Sequence, residues 1–359
     1  MIATTIASVD AVPIDVPLTE PFAIAQGAPS LAANVLVTVT LADGTVGLGE
    51  AAPFTAVSGE TQAKSLAAAR GASWLVGRDA RTYRSIAAEL AEALGAEKAA
   101  ACALETAVID AFARHHGVPL WSFFGGAGTE LDTDMTITAG DAAHAARAAE
   151  QILGRGIDTI KVKIGARSPA EDAARLDAVR RAAPRARLIV DANGAYSVDE
   201  ARRFLAELDA LNIAIALFEQ PVAPGEWLAF MKDRTPSSVL MCADESARSS
   251  ADLLRLVAAG AVDAVNLKPM KTGVLEAIAM WHVARAAGIA MMIGGMVETC
   301  LAMSLSAHLA AGLGGFAFVD LDTPMFVKEH PFAGGFEQIG KRLSVAHVEA
   351  GHGVSLRAG

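Results

Sequence analysis

Two textures of apolar and polar alternation divide the chain. From about Leu131 onward, short apolar runs of strand length alternate with amphipathic stretches of helical period. The runs are "MTITA", "TIKVKIG", "RLIVDANG", "ALFEQP", "LMCADES", "AVNLKP", "AMMIGG" and "AFVDLD". Their polar endings fall near residues 138, 163, 191, 219, 244, 268, 294 and 320, with successive separations of 25, 28, 28, 25, 24, 26 and 26. Eight strands at a steady strand–helix spacing predict a barrel of parallel strands ringed by helices. A doubly wound open sheet is the structural alternative, but it usually carries a glycine-rich phosphate loop, which this sequence lacks.

The first third reads differently. "VLVTVTLADGTVGLGE" predicts two strands joined at Asp43-Gly44. Alanine-rich helical patterns follow over about 58–76 and 82–116, the second stopping at Gly117 with Pro119 close behind. Near the end, "FEQIGKRLSVAHV" predicts another hairpin, expected to return to the first part. The expected organisation is an α+β domain over 1–125, completed by 330–359, packed on a catalytic barrel over 126–329. No Pro, Gly or Ser linker separates the two.

Composition narrows the classes. Apolar residues make up 53% of the chain, which excludes a disordered polypeptide. A net charge of −10, spread along the sequence, disfavours nucleic acid as a partner. No apolar run approaches the length of a membrane span, so no membrane role is expected. The opening "MIATTIASVDAVPIDVPL" has no basic segment followed by an apolar core, and a cytoplasmic homo-oligomer is expected. Cys102, Cys242 and Cys300 lack metal-ligand spacing and read as inert thiols. His308 reads as structural, and Met291, Met292 and Met296 as core.

The polar strand endings carry the chemistry. Lys161 and Lys163 are two apart on one strand and share a face, as do Asp191 and Asn193. Asp191, Glu219 and Asp244 end three successive strands. Three hard oxygen ligands with no accompanying histidine or cysteine suit Mg2+ better than zinc. The alternative is that they are salt-bridge partners of the lysines. Lys163 and Lys268 stand on the second and sixth strands, nearly across the barrel mouth. That placement suits removal of a proton on one face of a substrate and its return on the other. Lys161 would then be a second cation lowering the pKa of Lys163. A divalent ion holding a carboxylate would stabilise the enediolate formed by loss of its α-proton.

These motifs, in this order, resemble the enolase superfamily in its muconate lactonizing enzyme subgroup. They are "GLGEAAP", "PLWSFFGG", "KVKIG", "DANGAY", "FEQP", "ADES", "NLKPMKTGV", "GGMVET" and "DLDTP", and they span nearly the whole chain. The resemblance implies a modified (β/α)7β TIM-like barrel with an N-terminal capping domain, and a lysine pair working with magnesium. "VDLDTP" is similar to the Asp-x-Asp signature of dipeptide epimerases, in which two aspartates, here Asp320 and Asp322, bind the free ammonium of a dipeptide. Epimerisation of the C-terminal residue of an L,L-dipeptide is the reaction implied. Muconate cycloisomerisation, N-acylamino acid racemisation and o-succinylbenzoate synthesis on the same site are the alternatives. The loop "TEPFAIAQGAPS" corresponds to the lid over the substrate side chain, with Ile24 where a cation would serve an acidic substrate. An apolar or a basic side chain is therefore expected, with Glu20, Glu50 or Glu298 as partners for a basic one. Thr136 and Asn193 complete the expected substrate-binding set.

Overall fold

In the computed structural model, which describes residues 2–232 and 238–357, an antiparallel sheet opens the chain. Strands β1 (Ile6–Pro17), β2 (Leu31–Leu41) and β3 (Val46–Ala51) lie in that order. The predicted turn forms at Asp43-Gly44: Gly44 has φ of 89°, and Asp43 Oδ1 accepts the Thr45 N–H at 2.9 Å. The helix Lys98–His115 packs on β3 through a run of buried alanines. Close approach requires glycine opposite it. A Cβ at Gly49 would lie 1.9 Å from the Ala103 carbonyl oxygen, and one at Gly47 would lie 2.1 Å from that of Ala107. Gly49→Ala is therefore expected to cost about 2 kcal/mol or more as overpacking. A melting temperature equal to the parent's would refute that tight contact.

The two predicted helical stretches are shorter or broken. The first is helical over Gln62–Gly71, with Thr61 capping the Lys64 N–H, and then tightens into a 3-10 turn at Ala72–Leu75. The second is two helices, Tyr83–Leu94 and Lys98–His115. Gly95 breaks them at φ of 54°, which turns the chain so that the longer helix can lie along β3.

All eight predicted barrel strands form. They are β5 (Met135–Ile137), β6 (Thr159–Lys163), β7 (Arg187–Asp191), β8 (Leu217–Glu219), β9 (Leu240–Ala243), β10 (Ala264–Leu267), β11 (Ala290–Ile293) and β12 (Phe318–Val319). Each pairs in parallel with its chain neighbours, giving one curled eight-stranded sheet with helices in the crossovers. Two of those helices begin with full capping boxes, Ser168/Glu171 and Ser197/Glu200. The two ends of the sheet meet at a seam. There the Asp134 N–H donates to the Val319 carbonyl at 2.9 Å, and the Thr136 N–H donates to Asp322 Oδ2 at 2.6 Å.

The period of two along each strand builds the barrel interior in layers. Ile189, Leu217, Cys242, Ala264, Met292 and Phe318 form a buried apolar floor. Two residues further along, on the same faces, come Asp191, Glu219, Asp244, Asn266 and Asp320. The polar mouth thus rests on a dry base.

The C-terminal segment divides its contacts. Strands β13 (Phe332–Gly334) and β16 (Val354–Leu356) pair with each other, and Phe332 and Val354 pack with Leu36 and Leu48 of the N-terminal sheet. The hairpin of β14 (Glu337–Ile339) and β15 (Arg342–Ser344) behaves differently from the expectation. It pairs with β4 (Glu130–Asp132), just before the barrel. Arg342 meets Glu130 at 2.8 Å and Asp132 at 3.3 Å across that pairing, matching opposite charges on facing strands. No helix among the described residues is long and apolar enough to cross a membrane.

Candidate active site

At the C-terminal ends of β6 to β10, ammonium and carboxylate groups interleave. Lys163 Nζ lies 2.6 Å from Asp191 Oδ2, and Lys268 Nζ lies 2.6 Å from Asp244 Oδ2 and 3.5 Å from Glu219 Oε1. Lys161 Nζ reaches Glu219 Oε2 and Asp320 Oδ2 at 2.7 Å each and Asp191 at 3.2 Å. In strand order, the three carboxylates stand between Lys163 on one side and Lys268 on the other. All these groups are buried.

Burial opposes ionisation of Asp191, yet the charges of Lys163, Lys161 and Lys268 hold its pKa at about 2. Burial likewise opposes the charged form of Lys268, but Asp244 and Glu219 raise its pKa overall. Lys161 follows the same pattern, with Asp320, Glu219 and Asp191 outweighing burial. Strand spacing predicts Lys161 as a tuning charge beside Lys163; in the fold its ammonium is compensated by three carboxylates.

Ammonium groups therefore sit between carboxylates drawn from adjacent strands. Glu219 Oε2 is buried without a hydrogen bond, the Lys161 ammonium beside it lying outside hydrogen-bonding geometry. Asn266 Nδ2 donates to the other oxygen at 2.8 Å. The chemistry of the donor set, three hard carboxylates from adjacent strands, suits a magnesium ion that Asp191, Glu219 and Asp244 could hold; lysine ammonium groups stand among their oxygens here.

Two residues that the sequence reading missed hold this set in place. Lys271 Nζ donates to Asp244 Oδ1 at 2.6 Å and to the backbone oxygens of Asp244 and Asn266, so its three protons are all used. Gln220 sits at φ of 33°, a conformation that costs energy in a non-glycine residue. Its amide oxygen accepts the Asp244 and Ser246 N–H groups, and its nitrogen donates to Val222 O and Ser246 Oγ. The glutamine of "FEQP" thus orients the carboxylates before and beyond it. The repeated lysine in "KPMK" was the available signal for Lys271.

Above the mouth lies a cavity of about 30 Å³. Phe22, Phe54, Val57, Met296 and Val297 form its apolar wall, and Thr136, Asn193, Lys161, Lys163, Lys268, Asp320 and Asp322 its polar one. Phe22 comes from the 19–30 loop, which is tied to the barrel. Its Ala23 carbonyl accepts the Ala139 N–H at 2.8 Å, and Gln26 Nε2 donates to the Asn193 carbonyl at 2.7 Å. Asn193 also accepts from Lys163 at 3.2 Å, linking the 19–30 loop to that lysine.

The residues expected to set selectivity fall in different places. Ile24 is buried but outside the cavity wall, bridging to Gly27 within its own loop, whereas Phe22 lines the wall. Met296 belongs to the buried core, as expected, and also lines the cavity. None of the three glutamates offered for a basic side chain lines it. Glu50 caps the helix Cys300–Leu313, accepting from Thr299 N–H, Thr299 Oγ1 and Ala302 N–H as well as from Asn34. Glu298 is turned onto the Met296 N–H at 2.7 Å, and burial raises its pKa to about 8. Glu20 is exposed and borders a different cavity.

Comparison with known proteins agrees with this architecture. Residues 6–125 match the mandelate racemase / muconate lactonizing enzyme N-terminal domain, and residues 142–359 match the enolase C-terminal domain-like family. An aromatic dipeptide epimerase of Herpetosiphon aurantiacus is 54% identical over 354 residues, covering 98% of this chain and 99% of the relative. A crystal structure of a mandelate racemase/muconate lactonizing protein from the same organism superposes with a TM-score of 0.96 at 54% identity, covering both chains completely. A dipeptide epimerase from Enterococcus faecalis, complexed with Mg and L-Leu-L-Tyr, superposes at 0.91 and 30% identity over 98% of this chain and 99% of that one. With both halves of the family's architecture matched, the chain belongs to the mandelate racemase/muconate lactonizing enzyme group of the enolase superfamily.

Proposed function

We propose that this protein is a magnesium-dependent dipeptide epimerase that inverts the α-carbon of an apolar C-terminal residue. The observation that carries the reading is the placement of Lys163 and Lys268 on opposite sides of three buried carboxylates. One lysine removes the α-proton from one face, and the ammonium of the other supplies a proton to the opposite face. One proton leaves and one arrives, so the carbon is inverted with no net change in composition. A magnesium ion on Asp191, Glu219 and Asp244 would supply the positive charge that makes the α-proton acidic enough to remove.

Substrate recognition follows from the two walls. Asp320 and Asp322 face the cavity and suit a free ammonium, whereas a muconate dianion would be repelled and an N-acyl group would leave them unmatched. Phe22, Phe54, Val57, Met296 and Val297 favour an apolar side chain. The name of the relative from Herpetosiphon aurantiacus, an aromatic dipeptide epimerase, points the same way.

Deuterium wash-in tests the reading. In D2O, L,L-dipeptides with aromatic or aliphatic C-terminal residues should gain deuterium at the C-terminal α-carbon as the epimer accumulates. Absence of exchange across a dipeptide panel would refute it. Asp320→Asn should raise KM for dipeptides about ten- to a hundredfold, the size expected for losing a charge-assisted hydrogen bond. An unchanged KM would move the ammonium site elsewhere.

A further inference from the structure

Beneath the ammonium-binding pair lies a third carboxylate that the proposed reaction does not use. Asp134 sits at the barrel seam, its backbone N–H spent on Val319. Its side chain is 1% exposed, and neither oxygen has a hydrogen-bond donor. Carboxylate oxygens of Asp134, Asp320 and Asp322 lie within 4.8 Å of one another.

The cluster is short of positive charge. Asp322 has the Thr136 N–H, a neutral donor. Asp320 has Lys161, but that ammonium also serves Glu219 and Asp191. The ionisable groups acting on Asp134 are Asp320, Asp322 and Lys161, and Arg187 feels its charge in turn. Three carboxylates this close, buried and sharing one cation, strongly disfavour all being ionised together. A proton on one of them turns an orphaned acceptor into a donor to its neighbour, as in other buried carboxyl pairs.

We infer that the free enzyme stores one proton in the Asp134–Asp320–Asp322 cluster, and that arrival of the substrate's ammonium expels it. The inference rests on the dipeptide reading of Asp320 and Asp322. Asp134 is in this account a positioning residue: as an acid it orients Asp320, and as an anion it adds charge behind the bound ammonium. Burial first, and then the negative charges of Asp320 and Asp322, push its pKa far above the carboxylate range. Burial and Asp320 bring Asp322 to about 7. Proton release on binding requires affinity to rise with pH, because the protonated cluster is the form that binds less well.

Isothermal titration calorimetry reads this directly. The magnesium-loaded enzyme is titrated at pH 7 with alanylphenylalanine previously brought to epimeric equilibrium, so that no net chemistry adds heat. Buffers of different ionisation enthalpy are compared. The observed enthalpy should vary linearly with that of the buffer, with a slope reporting release of about one proton per dipeptide. Asp134→Asn, which keeps shape and a donor, should still bind while proton release falls close to zero. Binding with the same enthalpy in every buffer overturns the inference and leaves the dipeptide reading intact. Proton release undiminished in Asp134→Asn also overturns it. Failure to bind the dipeptide overturns both.

Discussion

Lys163→Ala and Lys268→Ala should each lower epimerisation by about a thousandfold, the middle of the range for losing one positioned acid or base. The two losses differ from general inactivation in one readout. Each variant keeps one lysine, so each should still exchange the α-proton of a single epimer with D2O while failing to invert it. The two variants should favour opposite epimers, because their remaining lysines stand on opposite sides of the carboxylates. Mass spectrometry of separated epimers gives the answer. If both variants exchange the same epimer, the lysines share a face, and two-base inversion is wrong. The fold should survive either change poorly enough to need checking, since Asp191 loses a partner 2.6 Å away in one case and Asp244 in the other. Circular dichroism controls for that.

The second large effect is expected from magnesium. Chelation should reduce turnover by about a thousandfold or more, since several kcal/mol of charge stabilisation are lost with a Lewis-acidic ion. Stability should change much less than activity. Each proposed ligand has an ammonium of the chain against it: Lys163 on Asp191, Lys161 on Glu219, and Lys268 with Lys271 on Asp244. The buried acids are thus charge-compensated without help from outside the chain. Thermal melts with and without EDTA, beside activity restored by added magnesium, make the comparison. Full activity after exhaustive chelation would remove the metal from the proposal. Global unfolding on chelation would show that the lysines do not compensate the site. Glu219→Gln should mimic chelation in activity, because it replaces the central anionic ligand with a neutral one.

Much of this molecule was legible along the chain, for a local reason. In a parallel barrel, each strand must bury apolar side chains on both faces and release polar ones at its C-terminal end. The runs from "MTITA" to "AFVDLD" record that rule, and the structure places β5 to β12 on all eight. The same period of two set Asp191 above Ile189 and Glu219 above Leu217, so the lysines and carboxylates of the mouth could be named from spacing. What period cannot express is contact between distant segments. Whether the lid residue facing the cavity is Phe22 or Ile24 depends on how the 19–30 loop is pinned to Ala139 and Asn193. Glu50 and Glu298 looked available for a substrate and are instead spent on N–H groups of Thr299, Ala302 and Met296.

The sequence by itself determined the eight strand–helix units, the barrel they form, and the identity of the ionisable groups at its mouth, because side-chain alternation and helix periodicity are properties of neighbours in the chain. Tertiary structure alone decided which charges meet. It put Lys271 on Asp244, wrapped Lys161 in three carboxylates, and closed the seam so that Asp134 stands behind Asp320 and Asp322. Those pairings join residues as far apart as Lys161 and Asp320, 159 positions along the chain. Electrostatic partnership depends on distance and burial in space, and neither is written in the separation of two residues along the chain.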